Sequence, residues 1–199
     1  MKPFQLGVTG GIGSGKSVVC SVLAAMGIPV FNADASSKKI LETDDAVVLS
    51  VKELLGPRSY SSSGKADRKY IASVVFNDVQ KLNQLNSILH PAVHRHYISW
   101  VEKNKKYEII AKEAAIMFES GSNIGMDAIA AVIAPAELRI HRVMQRDNKS
   151  SEEVLKIISR QMDETLIVQK SNFIIHNDDH QLVVPQIIRI LNTIKPNFT

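Results

Sequence analysis

The residues with the clearest chemistry form a glycine-rich segment near the start of the chain. Gly10-Gly11-Ile12-Gly13-Ser14-Gly15-Lys16-Ser17 fits the pattern G-x-x-x-x-G-K-[ST]. In this pattern the glycines let consecutive backbone N–H groups point at phosphate oxygens, and the start of the next helix adds its positive end. Lys16 would then reach the β- and γ-phosphates, and the hydroxyl of Ser17 would bind Mg²⁺. The segment predicts binding of a nucleoside triphosphate.

The pattern has meaning only between a strand and a helix, and the flanking residues predict both. Gln5 to Thr9 is a short, apolar, β-prone run. Ser17 to Met26 has apolar residues at helical spacing, and Gly27 follows at the position where a helix typically stops. The local order is therefore strand, phosphate loop and helix, as the motif requires.

Further strands are predicted along the chain, each followed by a segment with helical features. They are Ile28 to Phe31, one within Tyr107 to Ala115, Ala128 to Ala134, and Phe173 to Ile175. Strands that alternate with helices predict a parallel sheet covered on both faces. We therefore expect an α/β fold of the P-loop NTPase type, with ligands at the carboxyl ends of the strands.

The helices carry several start and stop signals. Pro135 lies where a helix begins, and Ser150 to Glu153 has the spacing of a capping box that opens a helix to about Lys170. A closing amphipathic helix is expected over Gln181 to Ile194. Pro91 predicts that one helix ends before it and another begins there.

The order of elements also predicts how the chain is divided. No strong strand is found between about residues 36 and 105, so this part is expected to be a helical lobe inserted into the sheet domain. A lid region is expected at about residues 135–160. The whole chain, residues 1–199, is then a single domain.

Composition excludes several classes of protein. With 45% hydrophobic and 22% charged residues, the 199-residue chain can form a globular core, and no apolar run reaches the ~20 residues of a membrane helix. The net charge of +4 suits anionic ligands, but the basic residues are scattered and aromatics are only 6%, so we expect no nucleic-acid partner. A single cysteine, Cys20, excludes a disulfide framework, and the N-terminus lacks the features of a secretory signal. A cytoplasmic protein is expected, and the sequence does not predict its oligomeric state.

A phosphate loop alone fits GTPases, motor ATPases and small-molecule kinases. A GTPase would carry an Asn-Lys-x-Asp motif, but Asn104-Lys105 is followed by Lys106-Tyr107. Motor ATPases usually have longer chains. Asp34, after the second strand, is placed to face the γ-phosphate and to orient or deprotonate an acceptor hydroxyl, although Asp is also a common helix N-cap. This arrangement favours a kinase.

Three arginines follow the predicted strand 128–134 at helical spacing. Arg139, Arg142 and Arg146 are three and four residues apart, so all three can share one helix face. Such a face beside a γ-phosphate would neutralise its charge. We predict a catalytic lid role for Arg142 and a nucleotide contact for Arg146, and interpret Arg139 as a surface arginine of a solvated helix.

Metal ligands are the last group of candidates. Glu113, at the carboxyl end of the third strand, could hold Mg²⁺ through water, or form a salt bridge with Lys112 or a lid arginine. His90 and His94 have zinc-ligand spacing, but no Glu follows His90 and no third ligand is evident. We therefore expect packing or a substrate contact for His90, and no zinc.

With Asp34 placed, nearly the whole chain resembles the dephospho-coenzyme A kinase family, which uses ATP to phosphorylate the ribose 3′-hydroxyl of dephospho-coenzyme A in the last step of coenzyme A biosynthesis. The matching segments are Gly7 to Ser17, Ala33-Asp34, Asp67-Arg68 with Val75-Phe76, Leu89-His90-Pro91, Phe118-Glu119, Arg142, Arg146-Asp147, Arg160-Gln161-Met162 and Asn177. The chain departs from the family at Val18, where Thr is usual, at Asn32, Ala115 and Ser171-Asn172, and at Arg139, where Gln is more frequent.

The resemblance implies that residues 1–199 form a single P-loop kinase domain, in which about 36–105 is the substrate-binding lobe. Together with the motifs, it also gives the candidate site residues. Asp34, Lys16 and Arg142 are expected to be catalytic, and Asp34, Arg68 and His90 to contact dephospho-coenzyme A. Ser17 and Glu113 are expected to hold Mg²⁺. The residues expected to bind ATP are Gly11, Ile12, Gly13, Ser14, Gly15, Lys16, Ser17, Val18, Arg146 and Asn177, the last beside the adenine.

Two rival functions keep the same fold. One is a kinase with another acceptor, such as a nucleoside, a nucleotide or a shikimate-like alcohol. The other is a nucleotide-dependent switch without catalysis. Asp34 and Arg142 argue against the switch, because a switch needs neither an acceptor base nor a lid arginine.

Overall fold

A computed structural model describes residues 2–76 and 78–195, so Met1, Asn77 and residues 196–199 of the expected domain lie outside the described residues. The strands are β1 (Phe4–Thr9), β2 (Val30–Asn32), β3 (Ile109–Glu113), β4 (Ala128–Ile133) and β5 (Phe173–His176). The helices are α1 (Lys16–Ala25), α2 (Ala33–Thr43), α3 (Asp45–Leu55), α4 (Arg68–Phe76), α5 (Val79–Lys103), α6 (Ala136–Asp147), α7 (Ser151–Ile158), α8 (Glu164–Gln169) and α9 (Val183–Ile194).

The described strands form one parallel sheet in the order β2-β3-β1-β4-β5. Because all strands run in the same direction, their carboxyl ends lie at one edge of the sheet. The first residues after β1, β3, β4 and β5 therefore gather at that edge. The predicted α/β P-loop sheet is confirmed, and its central strand β1 leads directly into the phosphate loop.

The core explains why β1 and β4 occupy the middle of the sheet. Leu6 and Val8 of β1 are buried, as are most residues of the alanine-rich β4, which is the continuous apolar pattern of a strand covered on both faces. On one face α1 and α9 complete this core through Val19, Leu23 and Leu191. Because α1 begins at Lys16, the packing of its buried side chains against the sheet also positions the end of the phosphate loop.

The chain divides into two compact units, residues 33–102 and the remainder. The 33–102 unit consists of α2 to α5 with a short 3-10 turn, Pro57–Ser59. Its own core includes Ile40, Val51 and Leu85, and the buried Tyr60 hydroxyl donates to the carbonyl oxygen of Leu41 at 2.8 Å. A role as substrate lobe stays a prediction.

One helix prediction was wrong at Pro91. Instead of ending there, α5 runs unbroken from Val79 to Lys103 with Pro91 inside it. Proline removes the hydrogen bond to the carbonyl of Ser87, but both residues lie on the exposed side of the helix, where water can reach that carbonyl. Leu89 and Ala92 keep the buried side packed.

The helix expected from Ser150 to about Lys170 was also wrong in its length. Its capping box is confirmed, because Ser150 and Glu153 exchange hydrogen bonds between side chain and backbone. However, α7 ends at Ile158 and α8 begins at Glu164, with Asp163 as its N-cap. The interruption places Gln161 outside a helix.

Over the residues that the structure describes, none of the helices is long and apolar enough to cross a membrane.

Candidate active site

The phosphate loop connects β1 to α1 at the edge where the strands end. Thr9, the last residue of β1, donates from its hydroxyl to the carbonyl oxygen of Ala114 at 2.9 Å, which ties the start of the loop to the segment after β3. Lys16 is buried, and its Nζ donates to the carbonyl oxygens of Gly10 at 2.8 Å and Gly11 at 3.1 Å. The ammonium group therefore lies over the loop that would hold the phosphates.

The loop also contains a buried polar atom with open hydrogen-bonding capacity. The Ser14 hydroxyl is fully buried and has no hydrogen-bond partner among the described residues. Gly15, which caps α1, has φ 92° and ψ 26°, the left-handed conformation that glycine adopts without strain. An unsatisfied hydroxyl beside a helix start fits a loop built to receive an anion.

Asn177, the first residue after β5, holds the loop from the side. Its Nδ2 donates to the carbonyl oxygen of Ser14 at 2.9 Å. A Cβ at Gly15 would collide with that same amide nitrogen. The predicted nucleotide-binding residue Asn177 is thus brought to the loop, and the fit leaves no room for a side chain at Gly15.

Arg142 lies beside the loop and is held at three points. Its Nη1 donates to the carbonyl oxygens of Asn177 at 3.1 Å and Gly13 at 3.5 Å, and its Nη2 pairs with the carboxylate of Asp179 at 2.5 Å. Arg146, one turn further along α6, instead pairs with Asp147 at 2.8 Å, and its side chain is 62% exposed. The structure brings Arg142 to the loop and directs Arg146 to its own neighbour.

The interpretation of Arg139 as a solvated surface arginine was wrong. Arg139 is only 6% exposed, its Nε donates to the carbonyl oxygen of Ile12 at 3.0 Å, and its Nη1 pairs with Glu164 at 3.0 Å. Helical spacing correctly placed Arg139 on the face of Arg142, but that face packs against the loop. Burial of the guanidinium is possible because a carbonyl and a carboxylate both accept from it.

The candidate metal ligands lie at the same edge of the sheet. Glu113, the last residue of β3, is half-buried and accepts a short hydrogen bond from the side-chain amide of Asn32, the last residue of β2. Ser17 is exposed in the first turn of α1, next to the exposed Val18. A hydroxyl and a carboxylate are hard oxygen donors of the kind that Mg²⁺ prefers, so their chemistry fits this metal.

Two buried side chains next to the site have shifted pKa values. Burial raises the pKa of the Cys20 thiol to about 12, with a further rise from the charge of Glu113 that Lys16 partly opposes. Burial lowers the pKa of Lys112 to about 8, and its amine donates to the carbonyl oxygen of Ser122 at 3.3 Å. The charges of a candidate metal ligand and of a candidate catalytic lysine therefore both affect the pKa of Cys20 on α1.

Three predicted residues belong to the 33–102 unit. Asp34 is exposed in the first turn of α2, which begins at Ala33. Arg68 begins α4 and pairs with Glu42 at 3.2 Å, and both side chains remain accessible. His90 is half-buried in α5, and burial lowers the pKa of its imidazole. Among the described residues, no group of three or more His, Cys, Asp or Glu side chains is placed to hold a metal ion. His90 and His94 therefore belong to no such group.

The chain is similar to known proteins over most of its length. The family model for dephospho-CoA kinase matches residues 4–182. The chain belongs to the dephospho-CoA kinase family. A dephospho-CoA kinase of Bacteroides fragilis is 37% identical over 188 residues, covering 94% of this chain and 91% of that protein. The dephospho-CoA kinase of Chlorobaculum tepidum is 40% identical over 182 residues, covering 88% and 87%.

Solved structures agree on the fold of this family member. A Thermus thermophilus protein superimposes with a TM-score of 0.84 at 30% identity, covering all of both chains. The dephospho-CoA kinase of Campylobacter jejuni gives a TM-score of 0.72 at 24% identity, covering 98% of each chain. The latter likeness concerns the fold alone. As a member of a kinase family, the chain is a phosphotransferase.

Sequence reasoning assigned no site role to three residues that contact the loop or its arginines, although one of them, Gln161, lies in a segment that matches the family. They are Gln161, Glu164 and Asp179. Gln161 accepts from the backbone N–H of Ile12 at 2.8 Å, and Glu164 and Asp179 pair with Arg139 and Arg142. The break between α7 and α8 had a local signal, because Asp163 followed by Glu164 is a typical helix start, but nothing local predicts partners so distant in sequence.

Proposed function

We propose that this member of the dephospho-CoA kinase family transfers the γ-phosphoryl group of ATP to the ribose 3′-hydroxyl of dephospho-coenzyme A. The 3′-oxygen forms a bond to the γ-phosphorus while the bond between that phosphorus and the β,γ-bridging oxygen breaks. The acceptor loses its proton, and ADP leaves. The observation that carries the proposal is the phosphate loop with Lys16 over it, in a chain matched by this family over residues 4–182.

The role of Lys16 follows from its position in the loop. Its ammonium group contacts the carbonyl oxygens of Gly10 and Gly11, which are neutral acceptors, and the negatively charged oxygens of a bound phosphate would compete well for the same donor. In transfer it follows the γ-phosphoryl group and stabilises the charge that shifts to the leaving oxygen. The buried hydroxyl of Ser14 can donate to a phosphate oxygen.

Arg142 is proposed to neutralise the transferring group. Its guanidinium is held beside the loop by the carbonyls of Asn177 and Gly13. Asn177 is proposed to lie beside the adenine, and Val18 and Arg146 to complete the nucleotide site. For Arg146 to reach a nucleotide, its pair with Asp147 must open, which costs little at an exposed site.

Asp34 is proposed to accept the proton of the acceptor hydroxyl. The support is its exposed carboxylate at the start of α2, two residues after β2 ends in the chain. Arg68 and His90 are proposed to bind dephospho-coenzyme A within the helical unit. An accessible Arg68 suits the anionic substrate, and a largely neutral His90 can donate or accept a hydrogen bond at neutral pH.

Mg²⁺ would be held by Ser17 and, through water, by Glu113. The metal, when bound, would draw negative charge from the phosphate oxygens. Asn32 would orient the Glu113 carboxylate through their hydrogen bond. We infer a cytoplasmic protein without a nucleic-acid partner, in line with its biosynthetic family.

The test is a screen of acceptors with Mg·ATP in which ADP release is followed. Dephospho-coenzyme A, adenosine, a nucleoside monophosphate and shikimate are compared at equal concentration. Turnover with dephospho-coenzyme A should exceed that with the other acceptors by at least about 10², because a site that hydrogen-bonds the polar groups of its acceptor strongly rejects alcohols that lack those groups. Preference for another alcohol would reassign the acceptor, and ATP binding without transfer to any of them would indicate a switch.

A further inference from the structure

Ile12 lies in the middle of the phosphate loop, and both its backbone N–H and its carbonyl oxygen are hydrogen-bonded by side chains from later in the chain. Its N–H donates to Oε1 of Gln161 at 2.8 Å, and its carbonyl oxygen accepts from Nε of Arg139 at 3.0 Å. Gln161 lies between α7 and α8, and Arg139 lies in α6. A loop without regular structure is therefore fixed by two elements outside it.

Arg139 is itself fixed, because burial leaves it few alternatives. Its side chain is 8% exposed, and a buried guanidinium is stable only when its donors are paired. Nη1 pairs with the carboxylate of Glu164 at 3.0 Å, while Nε is directed at Ile12. The planar guanidinium thus joins the start of α8 to the loop in one fixed geometry.

The glycines of the loop make this contact possible. A Cβ at Gly11 would collide with the guanidinium of Arg139, and a Cβ at Gly13 would collide with the carbonyl oxygen of Arg139 and lie 2.9 Å from its Cα. The loop therefore packs directly on α6: a side chain at Gly13 would collide with backbone, and one at Gly11 would displace the guanidinium of Arg139. Its shape and the position of Arg139 depend on each other.

We propose that Arg139 and Gln161 are positioning residues that hold the phosphate loop in its nucleotide-binding shape, with Glu164 fixing Arg139. Neither residue needs to touch the nucleotide. They act through Ile12, by keeping the backbone N–H groups that follow it aligned for the β- and γ-phosphates, which saves the ordering that a loose loop would need on binding. The proposal rests on the proposed function only in that the loop binds a nucleotide.

The first experiment compares ADP with AMP in calorimetric binding titrations. Gln161→Met removes the acceptor for Ile12 at nearly constant volume, and Arg139→Met removes the buried guanidinium and leaves no side-chain donor for Ile12. Each should weaken ADP about tenfold, as expected when about 1.4 kcal/mol of preorganisation is lost, while AMP, which lacks the β-phosphate, should change less than about twofold. Gln145→Met, the same substitution at an exposed position of α6, should leave both affinities unchanged.

Steady-state kinetics then separates positioning from stability. Loss of folded enzyme lowers kcat and leaves KM unchanged, whereas a distorted loop raises KM for ATP, by about tenfold here, with KM for dephospho-coenzyme A unchanged. Unchanged ADP affinity and unchanged KM for ATP in Gln161→Met would overturn the proposal, even if Arg139→Met failed to fold. The ADP titration contains no acceptor, so its outcome is independent of whether dephospho-coenzyme A is the substrate.

A double-mutant cycle tests the part assigned to Glu164. Glu164→Gln should weaken ADP about threefold, and adding it to Arg139→Met should have no further effect, because Glu164 acts only through that arginine. Glu152→Gln, at an exposed position of α7, is the matched control and should bind ADP normally. Additive losses in the double variant would show that Glu164 does not act through Arg139 and would overturn this part of the proposal.

Discussion

The side-chain amide of Asn177 donates to the carbonyl oxygen of Ser14 at 2.9 Å, in the space that a side chain at Gly15 would occupy. The residue after the last strand therefore supports the loop that follows the first strand. Gly15 meets two demands at once, since its backbone is left-handed and its α-carbon has no room for a methyl group.

Gly15→Ala should abolish nucleotide binding, because the added Cβ forces Asn177 away in addition to the ~1–2 kcal/mol penalty of a left-handed alanine. The control is Gly27→Ala, at φ 82° with nothing within 4 Å of an added Cβ. It carries the backbone penalty alone, so its melting temperature should fall while ADP affinity stays normal. Normal ADP binding by Gly15→Ala would contradict the tight fit at Asn177.

Lys16→Ala should reduce turnover by at least about 10² while weakening ADP less than tenfold, because the loop backbone still binds phosphates but no charge follows the transferring group. Single-turnover rates and ADP titrations measure the two effects. Lys170→Ala, at an exposed position, should change neither. Turnover of Lys16→Ala within threefold of wild type would exclude the phosphate-loop mechanism for this chain.

Arg142→Ala should lower kcat by about 10–10² with little change in KM for ATP, since its charge is needed most when negative charge shifts during transfer. Asp179→Ala, which removes only the partner of Arg142, should have a smaller effect on kcat. A raised KM with intact kcat in Arg142→Ala would instead assign this arginine to ground-state binding of ATP.

The fold could be predicted because its signals are local. The loop motif and the capping box at Ser150 each occupy a few adjacent residues, and every strand or helix of the alternating series is indicated by the pattern within its own segment. The uninterrupted helix α5 could not be predicted. A proline is tolerated within a helix when the carbonyl that loses its hydrogen bond faces solvent, and otherwise it breaks the helix. At Pro91 the exposed side is known only once Leu89 and Ala92 are seen to be buried.

The candidate site was predicted only in part, for a related reason. The loop glycines and Lys16 are recognised from a local sequence motif. The role of Arg139 is not, because its partner Ile12 is 127 residues away. Helical spacing gives the face on which an arginine lies and does not show what covers that face. Gln161 likewise contacts Ile12 from outside a helix, after a break that the sequence was not expected to contain.

Cys20 should resist alkylation in the folded protein. With its pKa raised from 9.0 to about 12, chiefly by burial, very little thiolate exists at pH 8. Reaction with iodoacetamide at pH 8 should be at least about 10² slower than in urea. Because the unfolded thiol ionises more readily, Cys20 contributes no pH dependence below about pH 9 and lowers stability as pH rises above it. Rapid labelling of the native protein would contradict a buried thiol.

Asp34→Asn tests the proposed general base. Asn keeps the size of the side chain but cannot accept the ribose proton, so kcat should fall within the general-base range of ~10²–10⁴. A loose transition state requires little deprotonation before transfer, which favours the lower half of that range. Dephospho-coenzyme A should still bind, because its other proposed contacts come from Arg68 and His90.

The control for Asp34 is Asp45→Asn. Asp45 also lies exposed in the first turn of a helix, α3, so both substitutions remove the same favourable interaction with a helix N-terminus, about 0.3–1 kcal/mol. Melting temperatures of the two variants should therefore fall by similar amounts, while single-turnover rates fall only for Asp34→Asn. If Asp34→Asn kept the wild-type rate of transfer, Asp34 would have only the helix-terminal role it shares with Asp45, and Glu113 would be the next carboxylate to test.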